Sequence, residues 1–150
     1  MSRATASRTI PGASPAQVEE AWCDPARWPG FVDGLARVTA LGPGYPEAGS
    51  TVEWESFPAG RGRVRETVLE YVPGRLVASQ VDDDSTSARQ LVTFEEAGAG
   101  TAVSLELDYE LRSRGIFTAA TDLLFVRRAQ ADSLRRTLAG LEQDVTGSAP

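Results

Sequence analysis

Apolar and polar positions alternate along one stretch of the chain and recur at helical spacing along another, and this change of period divides it into elements. The clearest alternation runs from Thr101 to Leu111. Val103, Leu105, Leu107, Tyr109 and Leu111 fall on one side, and Ser104, Glu106, Asp108 and Glu110 on the other. Such a strand has one face covered and one wet. Further strands are predicted over Ala4 to Ile10, from Leu35 up to the loop Gly42-Pro43-Gly44-Tyr45-Pro46, and over Thr51 to Phe57, Gly62 to Val72, Arg75 to Val81 and Ala88 to Glu95. Pro58-Ala59-Gly60, Pro73-Gly74, Asp82-Asp83-Asp84 and Gly98-Ala99-Gly100 have the composition of hairpin turns, so the strands after Leu35 form an antiparallel meander.

Helical spacing dominates two other regions. Ser14, Pro15 and Gln17 make a capping box with proline at the first helical position, and Val18 and Trp22 then share one face. Asp24-Pro25 ends this helix, because the residue before proline avoids the helical region. A second short helical piece over Ala26 to Asp33 brings Trp28 and Phe31 close to Trp22. The final segment, Ile116 to about Asp144, is long and amphipathic, with Ile116, Ala120, Leu123, Ala131, Leu134, Leu138, Leu141 and Val145 near one stripe. The expected fold is therefore α+β: a curved antiparallel sheet of about six or seven strands around a long C-terminal helix, with two short helices after the first strand. This is the helix-grip arrangement.

Hairpin geometry assigns the faces. A three-residue turn at Pro58-Ala59-Gly60 sets Glu55 opposite Arg63 and Glu53 opposite Arg65, which makes that side the wet one. Val52, Trp54, Val64, Glu66 and Val68 then face inward, and the same parity carried onward adds Val77, Ser79 and Leu91 to Leu105, Leu107 and Tyr109. A register slip of one residue inverts all of these assignments. Glu66 stands out as an acid among apolar neighbours. Desolvation there raises a carboxylate's pKa, as general acid-base work requires, whereas a position at a wet mouth or beside an arginine makes Glu66 structural. Tyr109 likewise either orients a ligand or satisfies the backbone.

Length and composition narrow the field. At 150 residues, with 41% apolar and 24% charged positions, one globular domain is expected over 1–150. No apolar run has the length of a membrane span, and Met1 to Gly12 lacks a signal peptide's apolar stretch, so a cytoplasmic location is expected. All 15 basic residues are arginine and histidine is absent. That removes Ser-His and Cys-His nucleophile systems, histidine-containing zinc sites, Schiff bases and Walker-type phosphate loops. The lone Cys23 has no disulfide partner within the chain and reads as a small buried residue. A net charge of −6 argues against nucleic acid even beside Arg61, Arg63 and Arg65. Asp82-Asp83-Asp84 lacks the glycine and terminal glutamate of a calcium loop and reads as a solvated hairpin tip. No metal is expected.

The sequence resembles the START-related SRPBCC superfamily, in its polyketide cyclase/dehydrase and lipid transport branch. The resemblance spans nearly the whole chain. It lies in Ile10-Pro11-Gly12-Ala13-Ser14-Pro15-Ala16-Gln17-Val18 followed by Trp22, in Asp24-Pro25-Ala26-Arg27-Trp28-Pro29-Gly30-Phe31, in Val64 to Pro73 ahead of Leu76-Val77, and in Thr93-Phe94-Glu95 ahead of Gly100-Thr101. It implies the helix-grip fold, no cofactor, and a small hydrophobic partner held in an internal cavity. Relatives include aromatase/cyclases, lipid and hormone binders and co-chaperone-like domains. Of the Arg, Tyr and Trp implicated in aromatase/cyclases, only Trp28 carries over by position.

The expected ligand lining comprises Trp28, Phe31, Trp54, Glu66, Val68, Leu91, Leu105, Leu107 and Tyr109 from the sheet side, with Phe117, Ala120 and Leu124 from the helix. Three functions fit it: a carrier or sensor for a lipid- or polyketide-like molecule, a cofactor-free cyclase or dehydratase, and a pocketless protein-interaction module. The first needs the fewest groups to converge.

Overall fold

A computed structural model describes residues 2–58, 62–112 and 120–147, and for 120–125 the backbone alone. In chain order the elements are β1 (Ser2–Ile10), α1 (Pro15–Trp22), a 3-10 helix (Pro25–Gly30), β2 (Leu35–Leu41), β3 (Thr51–Ser56), β4 (Arg63–Val72), β5 (Leu76–Asp82), β6 (Thr86–Ala97), β7 (Gly100–Leu111) and α2 (Ala120–Thr146). The strands form one seven-stranded antiparallel sheet in the order β1-β7-β6-β5-β4-β3-β2. This is the α+β helix-grip fold.

The short helices follow their local chemistry. Ser14 accepts from the Gln17 backbone N–H at 3.2 Å while the Gln17 side chain accepts from the Ser14 N–H at 2.8 Å, closing the capping box. Asp24 caps the 3-10 helix by accepting from the Ala26 N–H at 3.2 Å. Trp28 then reaches back to donate its indole N–H to the carbonyl of Trp22 at 2.7 Å, and the Trp22 and Phe31 rings lie 6.0 Å apart.

The β3–β4 register pairs Glu53 with Arg65 and Glu55 with Arg63, so Val52, Trp54, Glu66 and Val68 share the concave face. The β5–β6 hairpin breaks the expected parity. Asp83 is buried rather than solvated, and its carboxylate accepts from the backbone N–H groups of Ser85 and Thr86, both at 2.8 Å. That tight closure lets β6 begin at Thr86, with Ala88 opposite Val81, Gln90 opposite Ser79 and Val92 opposite Val77. Leu91 therefore does not face inward. It pairs with Ala78 and Glu106 on the convex side, half-buried, while Gln90 takes the concave position.

α2 closes the concave side. Leu134, Leu138 and Leu141 are buried on one stripe, each worth about 1.5–3 kcal/mol relative to exposure, and Arg127, Arg128, Asp132, Arg135 and Arg136 lie on the exposed side. α2 packs on β1 and α1 and is pinned at its rim by Arg8–Glu142 at 3.0 Å and Arg27–Asp144 at 2.6 Å. Gly140 allows the closest approach: a Cβ there would sit 3.0 Å from the Cα and Cβ of Phe31. The predicted start at Ile116 and the expected lining residue Phe117 lie outside the described residues. At its other end α2 runs to Thr146, slightly past the expected limit.

Candidate functional site

Between the sheet and α2 lies a cleft lined by three tryptophans, Trp22, Trp28 and Trp54, and by Leu105 and Leu107 of β7. It is narrow, with a cavity volume of only about 40 Å³. The walls are thus close together along most of its depth. Six of the fourteen described lining residues are polar. Glu66 and Gln90 enter from the sheet, Gln130, Ser133 and Thr137 from α2, and Asp33 from the chain after the 3-10 helix.

Of the residues expected from the sequence, Trp28, Trp54, Glu66, Leu105 and Leu107 meet in this cleft. Phe31 is buried but packs on Trp22 and beneath Gly140 instead. Val68 and Tyr109 are buried on the concave face outside the lining, and Leu91 is on the other face. Ala120 and Leu124 belong to α2, where the backbone alone is described. The expected lining did not include Trp22, Val32, Asp33, Val81, Gln90, Gln130, Ser133, Leu134 or Thr137. Gln130, Ser133 and Thr137 follow from helical spacing around Leu134. Asp33 carries no such signal, because its role depends on a contact between segments distant in sequence.

Two arrangements fix four of the polar groups. Trp54 donates its indole N–H to Glu66 Oε2 at 2.8 Å, holding the carboxylate against the sheet. At the mouth, the Asp33 carboxylate accepts from Nε and Nη2 of Arg136 at 3.0 and 3.1 Å and from the Ser133 hydroxyl at 2.8 Å, while its own backbone N–H donates to Thr137 Oγ1 at 3.0 Å. The Arg136 hydrogen bonds hold the Asp33 carboxyl below the ordinary carboxylate range against an opposing effect of burial. The charged side chains of the lining are therefore both acids, one of them bound to a guanidinium.

Beside the cleft, Tyr45 meets the Trp28 ring edge-on at 6.0 Å. Burial pushes its phenol far above the ordinary value, with a smaller contribution from the Glu66 charge. Cys23 is partly buried, and burial followed by the Glu19 charge pushes its thiol up to about 12. Glu19 also accepts from the Tyr71 hydroxyl and the Gly74 N–H, tying α1 to the β4–β5 turn. Neither phenol nor thiol supplies an ionised nucleophile at neutral pH. Among the described residues no group of three or more acidic or thiol side chains could hold a metal ion, and no helix is long and apolar enough to cross a membrane.

A curved antiparallel sheet closed by one long helix over an aromatic-lined cleft defines a helix-grip protein of the SRPBCC superfamily. Residues 1–146 match the family described as polyketide cyclase/dehydrase and lipid transport, and the chain belongs to it. Solved structures repeat the fold at low identity. A Thermus thermophilus protein is 22% identical with a TM-score of 0.74, over 99% of this chain and 100% of that one. The Aha1 dimer from Colwellia psychrerythraea is 15% identical with a TM-score of 0.65, over 97% of this chain and 96% of that one. A protein in the dynemicin biosynthetic locus is 12% identical with a TM-score of 0.68; the match covers 99% of this chain and 48% of that longer one. No curated protein matches.

Proposed function

We propose that the chain acts as a single domain that holds a small hydrophobic, lipid- or polyketide-like molecule between the sheet and α2, as a carrier or sensor. The observation that carries this reading is the convergence of Trp22, Trp28, Trp54, Leu105 and Leu107 in one cleft with Glu66 and Asp33 held in place, an apolar wall with positioned polar groups that can enclose and orient a small molecule. The family description points the same way. Ligand pockets commonly need about 300–1,000 Å³, so uptake requires the narrow resting cleft to widen.

The Trp54–Glu66 hydrogen bond favours a second reading, in which Glu66 serves as the acid-base group of a cofactor-free cyclase or dehydratase. A positioned carboxylate is the minimum such chemistry needs. Native mass spectrometry of the purified protein, then incubation of any co-purifying molecule with fresh protein, separates the readings. Release of an unchanged molecule supports the carrier. Conversion that is lost in Glu66→Gln with the fold intact supports the enzyme. No bound molecule, together with no uptake of the neutral fluorophore N-phenylnaphthylamine, leaves the pocketless interaction module.

A further inference from the structure

The phenolic oxygen of Tyr109 is buried, and among the described residues it has no hydrogen-bond partner. Buried hydroxyls are ordinarily bonded, and an unmet one costs stability in the free protein. Tyr109 lies two residues along β7 from Leu107, which lines the cleft, and on the same face. Directly across on β6 is Ala88, a methyl with no hydrogen-bonding group. The row continues through Val81 of β5 to Glu66 of β4. Three strand spacings, about 14 Å, separate the backbones of Tyr109 and Glu66, and Glu66 accepts from the Trp54 indole instead. Between these two polar groups the row is apolar.

We propose that the Tyr109 hydroxyl, outside the lining of the resting cleft, becomes a second polar anchor once the cleft widens and donates to the carbonyl oxygen of a flat, largely apolar ligand. This rests on the binding reading above. A phenol offers one hydrogen and lone pairs, and an unpaired buried donor is less readily tolerated than an under-used acceptor, so the missing partner is an acceptor. The ligand is not an anion, because the charged side chains of the described lining, Glu66 and Asp33, are acids, and a carboxylate entering among them would meet like charge.

The test uses acetylnaphthalene and ethylnaphthalene, which match in size and differ in the carbonyl, with naphthoate as the charged analogue. Binding to the full chain is measured by calorimetry and melting by circular dichroism. Wild type should bind acetylnaphthalene about tenfold more tightly than ethylnaphthalene and naphthoate more weakly than acetylnaphthalene. Tyr109→Phe should lose the carbonyl preference, keep ethylnaphthalene binding, and melt without ligand at the same or a higher temperature. Equal binding of the matched pair by wild type overturns the inference alone, as does a preference that survives in Tyr109→Phe. A lower melting temperature of ligand-free Tyr109→Phe also overturns it, since the hydroxyl would then be bonded within the protein. If none of the compounds binds wild type, the binding reading falls and takes the inference with it.

Discussion

Replacing Gly140 by alanine sets two known effects against each other. Inside a helix alanine is favoured over glycine by about 0.8–1.0 kcal/mol, so propensity alone predicts a more stable protein. The new Cβ, however, would sit 3.0 Å from the Cα and Cβ of Phe31 and 3.2 Å from its carbonyl oxygen, where carbon pairs prefer about 3.5–4.0 Å. Phe31 has little room to withdraw, since its N–H bonds to the Trp28 carbonyl at 3.0 Å and its buried ring lies against Trp22. Overpacking of this kind costs about 1–3 kcal/mol. The larger effect wins, and Gly140→Ala should lose about 1 kcal/mol net, lowering the melting temperature by about 2–4 °C. Urea unfolding followed by tryptophan fluorescence, with a thermal melt beside it, measures both quantities. A variant that gains the full propensity increment would refute the reasoning, because α2 would then not be held against the 3-10 helix by this contact.

Leu105→Ala should destabilise by about 2–5 kcal/mol because the side chain is fully buried, and Leu91→Ala by much less; equal losses in urea titrations would contradict the facing described. Asp33 has a folded pKa below its unfolded value, so its contribution is complete above about pH 4 and is lost as pH falls through the lowered folded value. Asp33→Asn should flatten this acid limb of stability against pH, and an unchanged limb would show that the carboxylate does not tie the cleft mouth to α2. With its thiol pushed up to about 12, Cys23 should react with iodoacetamide at neutral pH far more slowly in the folded protein than in urea. Comparable rates would place the thiol in the open.

The fold was legible because its signals are local. The Ser14–Gln17 box, the two opposed charge pairs of β3–β4 and the strict alternation of β7 each set their element without help from distant residues. The facing of β6 was not, since it depends on how Asp83 folds the turn, which shifts the strand start to Thr86. Val92 and Phe94, two residues apart and both large and apolar, were the available hint. The sheet side of the cleft was partly readable from Trp54, Glu66, Leu105 and Leu107. Asp33 at the mouth was not, because its fixing by Arg136, Ser133 and Thr137 exists only once α2 has docked.

The strand order has a consequence for how the molecule is made. β1 comes first in the chain but pairs only with β7, with Ser2 opposite Tyr109. During synthesis at about 5–20 residues per second, β1 therefore waits on the order of ten seconds for its partner to emerge. An apolar strand left open for that time invites pairing with other chains. β1 reads Ser-Arg-Ala-Thr-Ala-Ser-Arg-Thr-Ile, with two alanines and a single large apolar residue at its end. Its weak hydrophobicity, which makes it a modest strand on paper, suits it to stay solvated until the meander is complete.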